Sequence, residues 1–324
     1  MQVLVTGGAG FIGSVIVEEL ARAGHTPVVY DSLVKGHVSA LQPDVPMVNG
    51  DMRDTDRLKA ALRSYEIEAI IHMAGLIEVG LSVTNPDRFF ENNVGGSMSV
   101  LRAILDTGVK KLVFSSTAAV YGDPVSLPIT EDAPLQPTNP YGESKLMVER
   151  ILGWAAPAHG LTCTALRYFN AAGATSRNGE MHDPETHLIP LVLKAAQDDQ
   201  AVTIFGTDYP TGDGTAVRDY VHVMDLASAH LLALARVEAG LRIYNVGTGT
   251  GYSVQQVVET TERVTGKPLA IDKRPRRPGD QVATVASSDR IRAELGWKPR
   301  FGDLHSIIAS AWDWFRDHPH GYAG

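Results

Sequence analysis

The short apolar run Val3-Leu-Val-Thr6 meets Gly7-Gly-Ala-Gly-Phe-Ile-Gly13, and a helical pattern then runs from Ser14 to Gly24. Strand, glycine turn and helix in that order restrict the fold more than any other feature of the chain. Gly8, Gly10 and Gly13 fit G-x-G-x-x-G. Without side chains the backbone can approach a pyrophosphate, whose charge then faces the helix N-terminus. The next apolar run, Pro27-Val-Val-Tyr30, ends in Asp31. From that position a carboxylate accepts hydrogen bonds from an adenosine ribose diol and disfavours a 2′-phosphate, so NAD is expected rather than NADP.

Strand and helix patterns go on alternating through residues 46–49, 55–64, 69–73, 88–107 and 111–115. A Pro-rich excursion over residues 124–140 precedes one more helix and a strand at 162–168. The rhythm predicts an α/β fold, a doubly wound parallel Rossmann sheet with ligands at the carboxyl ends of its strands. Those ends carry Asp51-Met52, His72-Met73-Ala74-Gly75 and Ser115-Ser116-Thr117, all candidate cofactor or substrate contacts. His72 reads as a satisfied buried histidine, since no nucleophile pairs with it in sequence. From residue 173 the alternation breaks, and Gly, Asn, Asp and His fill the stretch to 187. The expected division is an NAD-binding domain over residues 1–172 and a smaller C-terminal α/β substrate-binding domain over 173–324. The two interleave, because residues at about 216–248 read as returning to the first domain, beginning with a strand at 218–223.

Tyr141-Gly-Glu-Ser-Lys145 carries the candidate chemistry. Four residues apart on a helix that Pro140 opens, the phenol and the ammonium share one face. A cation within a few Å typically lowers such a pKa by roughly 1–3 units, which would make Tyr141 a base near neutrality. A hydroxyl of Ser116 or Thr117 could bridge Tyr141 and a substrate alcohol. Arg274-Pro-Arg-Arg277 is a dense cationic loop, and Arg218 with Arg277 could clamp a diphosphate.

The net charge of −8 argues against nucleic acid or an anionic membrane as partner. Met1 runs straight into a strand, with no leader pattern and no long apolar span elsewhere, so a cytoplasmic protein is expected. Cys163, the single cysteine, reads as a buried thiol. There is no HExxH or paired-cysteine pattern, and His182 with His187 in a loop is a poor basis for zinc, so no metal is expected. Walker A and G-x-S-x-G patterns are also missing.

Several segments act together: TGGAGFIGS (Thr6 to Ser14), Asp31, the Gly50-Asp51 turn, FSSTAAVYGD (Phe114 to Asp123), YGESKLMVE, LRYFNAAGA (Leu166 to Ala174), FGTDYPTGDGTAVRDYVHVMDLA (Phe205 to Ala227) and RRPGD. With them the chain resembles, over essentially its whole length, the extended short-chain dehydrogenase/reductases and among those the UDP-hexose 4-epimerases. The resemblance implies an isomerase that interconverts UDP-galactose and UDP-glucose through a transient 4-keto sugar, with bound NAD taking and returning the hydride. Tyr141 would take the proton from sugar O4. Lys145 would hold the nicotinamide ribose and tune Tyr141, while Thr117, with Ser116 near it, relays or orients the proton. Implied cofactor contacts are Gly7, Gly10, Phe11 and Ile12 in the turn, then Asp31, Asp51, Met52, Asn92, Tyr141, Lys145 and Tyr168. Implied substrate contacts are Asn170, His187 and Leu188, Phe205 against uracil, and Arg218, Arg277 and Asp280 around the diphosphate and ribose. A homodimer is also implied, with the amphipathic helix at 88–107 as candidate interface.

The chain departs from the family pattern where Ile77 replaces a common Lys near the cofactor and Leu81 a common acid. Thr284 stands where glucose-restricted members carry a bulky Tyr, which leaves room for an N-acetyl group. Among alternatives, a nucleotide-sugar 4,6-dehydratase would need Asp-Glu where Ala118-Ala119 stand. A non-catalytic NAD-binding sensor would need neither Tyr141 nor Lys145.

Overall fold

Seven apolar runs pair into one parallel sheet because helices cover both of its faces. The structure is a computed structural model that describes residues 1–277 and 279–322. Its strands are β1 (Gln2–Thr6), β2 (Thr26–Asp31), β3 (Met47–Asn49), β4 (Ala69–His72), β5 (Lys111–Thr117) and β6 (Thr162–Tyr168). They continue with β7 (Asn170–Ala172), β8 (Val202–Phe205), β9 (Val217–His222), β10 (Gly240–Val246), β11 (Gly251–Ser253), β12 (Ile271–Arg274) and β13 (Ala283–Thr284). The large sheet has the order β3-β2-β1-β4-β5-β6-β10. Strand order reverses beside β1, which opens a crevice between the carboxyl ends of β1 and β4. The helices Phe11–Arg22 and Val223–Leu234 pack on one face; Thr55–Ser64, Gly96–Thr107 and Pro140–His159 pack on the other. Among the described residues no helix is long and apolar enough to cross a membrane.

Two expectations change. The strand expected to return at residue 218 does not join the large sheet: β9 pairs with β7, β11 and β13 in a small second sheet. Asp219 holds it there, accepting from the amides of Thr248 (2.8 Å), Gly249 (2.9 Å) and Ala286 (3.1 Å). The return is made by the helix Val223–Leu234 and by β10, which pairs with β6. The helix expected at 88–107 is also not one regular helix. A π turn, Phe90–Gly95, separates Pro86–Phe89 from Gly96–Thr107. Within that turn Asn93 points inward, accepting from Leu76 N (2.8 Å) and donating to Leu76 O and Ser144 Oγ (both 3.0 Å). Such an inserted residue re-aims side chains, often at functional sites.

The helix Pro140–His159 is locked to the sheet by a buried ion pair. Arg167 of β6 donates Nε and Nη2 to the two oxygens of Glu149 at 3.0 and 2.6 Å, and both side chains are almost wholly buried. Removing one partner leaves an uncompensated charge in the core. Arg167→Met should therefore destabilise the protein by about 3–5 kcal/mol, read as a lowered urea midpoint. The double variant Arg167→Met/Glu149→Met should recover most of the loss.

Candidate active site

The glycine turn is shaped by close approaches. Gly7 has φ of +69°, and a Cβ there would sit 2.7 Å from Ala74 N at the end of β4. A Cβ on Gly13 would lie 2.1 Å from Gly7 O, so the helix could not enter the turn this tightly with any side chain present. Gly10 caps the helix Phe11–Arg22 without a side-chain hydrogen bond, and no acidic residue occupies the first turn. The leading amides of Phe11, Ile12 and Gly13 are thus left for a ligand, and the positive end of the helix dipole faces it. Asp31 Oδ2 accepts from Ala9 N at 3.0 Å and Oδ1 from Leu33 N at 2.8 Å, so the carboxylate expected to take a ribose also fastens the turn. The turn's shape and its uncapped helix end fit the pyrophosphate and ribose of NAD.

Around this crevice Met73 and Ala74 follow β4 against Gly7. Arg53 bonds Asp51 at 2.7 Å, and those hydrogen bonds hold the Asp51 carboxyl below its ordinary range. The Met52 side chain is buried against Gly96, where a Cβ would come within 2.7 Å, so a Met52 contact to a cofactor falls to its backbone. Asn92 donates to Asn93 Oδ1 at 3.1 Å.

Tyr141 is delivered by its helix N-terminus. Asn139 accepts from Gly142 N at 2.8 Å as N-cap, and Pro140 begins the first turn. A Cβ on Gly142 would meet Ala119 O at 2.6 Å, so glycine lets the helix press on the turn Ala118–Tyr121. The Thr117 hydroxyl consequently meets the Tyr141 phenol. Lys145 is buried, donates Nζ to Ser115 O at 2.9 Å and lies 5.0 Å from the Phe114 ring centroid. Tyr168, in register with Thr117, pairs its hydroxyl with His230 and brings it 3.6 Å from Met73 Sδ.

The electrostatics differ from the expectation of a phenol depressed by Lys145. Burial raises the Tyr141 pKa, with the Thr117 hydrogen bond opposing the rise. Burial also pushes the Lys145 ammonium down to about 8. Ser116 is the second correction. Its hydroxyl donates to Glu149 Oε1 at 2.5 Å inside the core. Successive residues of a strand point to opposite faces, so Ser115 and Thr117 share the side that Ser116 leaves. His72 is the satisfied histidine expected, with Nδ1 2.7 Å from Thr6 Oγ1 and Nε2 2.9 Å from Ser97 Oγ. Burial lowers it to about 3.

The substrate side forms around the small sheets. Arg277 lies over the Phe205 ring, 4.9 Å from its centroid, and Arg277 Nε donates to Asp280 at 2.9 Å. Phe205 with Arg274, Pro275, Arg276 and Arg277 lines an open cleft. Burial lowers the Arg218 pKa, and the charges of Asp280 and Arg277 both reach it. Pro278, within RRPGD, is outside the described residues. Thr284 is buried on β13 in register with Arg218, and Asn170 is half-buried at the start of β7. His187 caps the helix Leu188–Gln197, and Leu188 packs beneath it against two apolar clusters. Ile77 and Leu81 are exposed, and near them Lys35 pairs with Glu78 at 3.1 Å.

Sequence reasoning missed Asn93, Glu149 with Arg167, and a group on the loop before residue 188. The loop draws Glu180, His182, Glu185 and His187 together, with the ligand atoms of all four within 4.8 Å of one another. Polar residues on otherwise apolar helix faces were the available signal for Asn93 and Glu149.

A family described as the NAD dependent epimerase/dehydratase family matches residues 3–247. The chain is 47% identical over 328 residues to the UDP-glucose 4-epimerase of Halalkalibacterium halodurans, covering 100% of this chain and 98% of that protein. It is also similar to the crystal structure of UDP-glucose 4-epimerase from Brucella ovis in complex with NAD, at 44% identity and a TM-score of 0.92 over 97% of this chain and 98% of that one. UDP-glucose 4-epimerase from Bifidobacterium longum in complex with NAD+ and UDP superposes with a TM-score of 0.95 at 38% identity, over 99% of this chain and 100% of that one.

Lys145 makes a pH dependence testable. Its pKa is about 8 folded against 10.5 for an ordinary lysine. Between those values the unfolded chain holds a proton that the folded chain has released, so stability rises with pH there. Below the window the buried charge is a full penalty. Lys145→Met should flatten that slope and raise the ligand-free protein's stability at neutral pH by on the order of 2–3 kcal/mol, measured by chemical denaturation across the window.

Proposed function

The chain belongs to the NAD dependent epimerase/dehydratase family, and on that premise we propose that it is a UDP-hexose 4-epimerase interconverting UDP-galactose and UDP-glucose. The observation that carries this reading is the meeting of the Tyr141 phenol and the Thr117 hydroxyl above buried Lys145, beside a turn fitted to a dinucleotide. Bound NAD would supply the hydride acceptor and donor for sugar C4. The amides of Phe11 and Ile12 would hold its pyrophosphate and Asp31 its adenosine ribose.

Tyr141 takes the proton from sugar O4 through a hydrogen bond shared with Thr117, and returns it to the same oxygen once the transient 4-keto sugar has turned over. Lys145, whose pKa is about 8, would anchor the nicotinamide ribose and bias the phenol. Phe205, Arg277, Asp280 and Arg218 hold uracil, ribose and diphosphate, so the hexose can turn while its nucleotide stays fixed. Ala118 and Ala119 provide no acid or base for eliminating water, which disfavours a dehydratase.

Thr284 supports a second activity. A buried threonine beside Arg218 occupies less of the sugar site than a tyrosine would, so UDP-N-acetylglucosamine and its galacto epimer should also turn over. We further propose a homodimer. Leu105 on one helix and Met147 and Trp154 on another expose large apolar surfaces, consistent with a helix-faced interface. Cytoplasmic residence fits the single, buried Cys163.

The test is to incubate purified protein with UDP-galactose without added NAD and to resolve UDP-glucose by chromatography. Conversion is expected, and its absence even with NAD supplied would sink the proposal. Tyr141→Phe should lower kcat by roughly 10²–10⁴-fold while NAD remains bound. In a parallel lane UDP-N-acetylgalactosamine should be converted, and Thr284→Tyr should abolish that conversion while sparing UDP-galactose.

A further inference from the structure

We propose that Glu180, His182, Glu185 and His187 form a closed, four-ligand site for a zinc ion. They lie on the irregular segment between β7 and the helix Leu188–Gln197. The spacing E-x-H-x-x-E-x-H supplies two pairs, and the bend at Asp183-Pro184 turns one pair toward the other. His187 Nδ1 sits 2.9 Å from Glu180 Oε1 and 3.0 Å from Glu185 Oε1. His182 Nδ1 is 3.5 Å from Glu180 Oε1 and 3.5 Å from Glu185 Oε2. Metal bonds of 2.0–2.2 Å in a tetrahedron place neighbouring ligand atoms about 3.3–3.6 Å apart. The four atoms therefore need only small side-chain adjustments to surround one ion.

A second observation points the same way. His182 Nδ1 is buried without a hydrogen-bond partner and is directed between the two carboxylates. A buried nitrogen left unpaired costs free energy, and a coordinate bond from its lone pair removes that cost. Glu180 is almost fully buried, and no lysine or arginine pairs with either carboxylate among the described residues. His187 is ion-paired to both carboxylates; zinc would displace its proton, leaving two carboxylates and two neutral imidazoles whose two negative charges a divalent cation matches. Two nitrogens in the set favour zinc over magnesium or calcium, which take oxygen ligands.

With four protein ligands and no open position, such an ion orders structure and performs no chemistry. Glu185 already accepts from Thr186 N (2.7 Å) and His187 N (2.8 Å), ordering the two residues that lead into the helix beginning at Leu188. Tyr322 bonds Gly179, and Lys35 bonds Asp183 O. Zinc would thus fasten the segment that runs from β7 to the N-terminus of one substrate-side helix.

Tag-free, full-length protein should be dialysed against EDTA, recharged with Zn²⁺, and analysed for metal after gel filtration. About one zinc per chain is expected, and Co²⁺ in its place should give the intense visible absorption of tetrahedral coordination. His182→Ala and Glu180→Gln should each weaken zinc binding at least about 10-fold in competition with a chromophoric chelator. Circular dichroism of the metal-free forms should show both variants folded. Because metal content is read rather than turnover, the result does not depend on the epimerase assignment. Three outcomes would overturn the site: no zinc retained by the parent protein, wild-type affinity in both variants, or displacement of zinc by equimolar Mg²⁺.

Discussion

The salt bridge between Arg167 and Glu149 sets the position of everything around Tyr141. Burial alone would depress the guanidinium, but the hydrogen bonds and charge of Glu149 outweigh it and hold Arg167 above its ordinary range. A further donor, Nη1, reaches the Tyr121 hydroxyl at 2.8 Å, and that hydroxyl donates to Asn245 of β10 at 2.6 Å. Ser116 of β5 gives its hydroxyl to the same carboxylate. One network therefore joins three strands, the turn after β5 and the helix that carries Tyr141 and Lys145. If the helix slid along the sheet, two charges would lose their partners inside the core, a penalty far steeper than apolar contacts impose.

Much of this was legible in the sequence because it is local. The glycine turn, the runs that became β1 to β6 and the Pro140 helix start all follow from short-range pattern and sterics. The parallel, doubly wound character of the large sheet followed from strand and helix alternation. What the sequence hid depends on contacts between distant residues. The alternation in Arg218-Asp-Tyr-Val-His suits either sheet, and the choice is made by Asp219 binding amides at Thr248, Gly249 and Ala286. The loop at 173–187 offered no period to read, so the convergence of two histidines and two glutamates there could be found only once the chain was folded.

Ser116 is a different kind of miss. Its removal from the candidate site follows from the two-residue period of β5, which the sequence already contained. Thr117 and Ser115 occupy one face, and the intervening hydroxyl must face the Glu149 side. Neighbours along a strand are not neighbours on one of its faces.

Tyr141 and Lys145 do share one helix, but that spacing does not by itself depress the phenol. Opposite charge lowers a phenol pKa only while the cation remains charged, and burial weakens the lysine cation as it raises the tyrosine. Both groups are driven toward their neutral forms, a phenol and an amine. At neutral pH the lysine, with its pKa of about 8, still carries most of its charge, while burial keeps the phenol protonated. A ligand bringing positive charge into the crevice would favour the phenolate and disfavour the ammonium in the same step, since one group gains an opposite charge and the other meets a like one. Filling the crevice with such a charge would therefore help form the base, and an unfilled site avoids the cost of a buried phenolate.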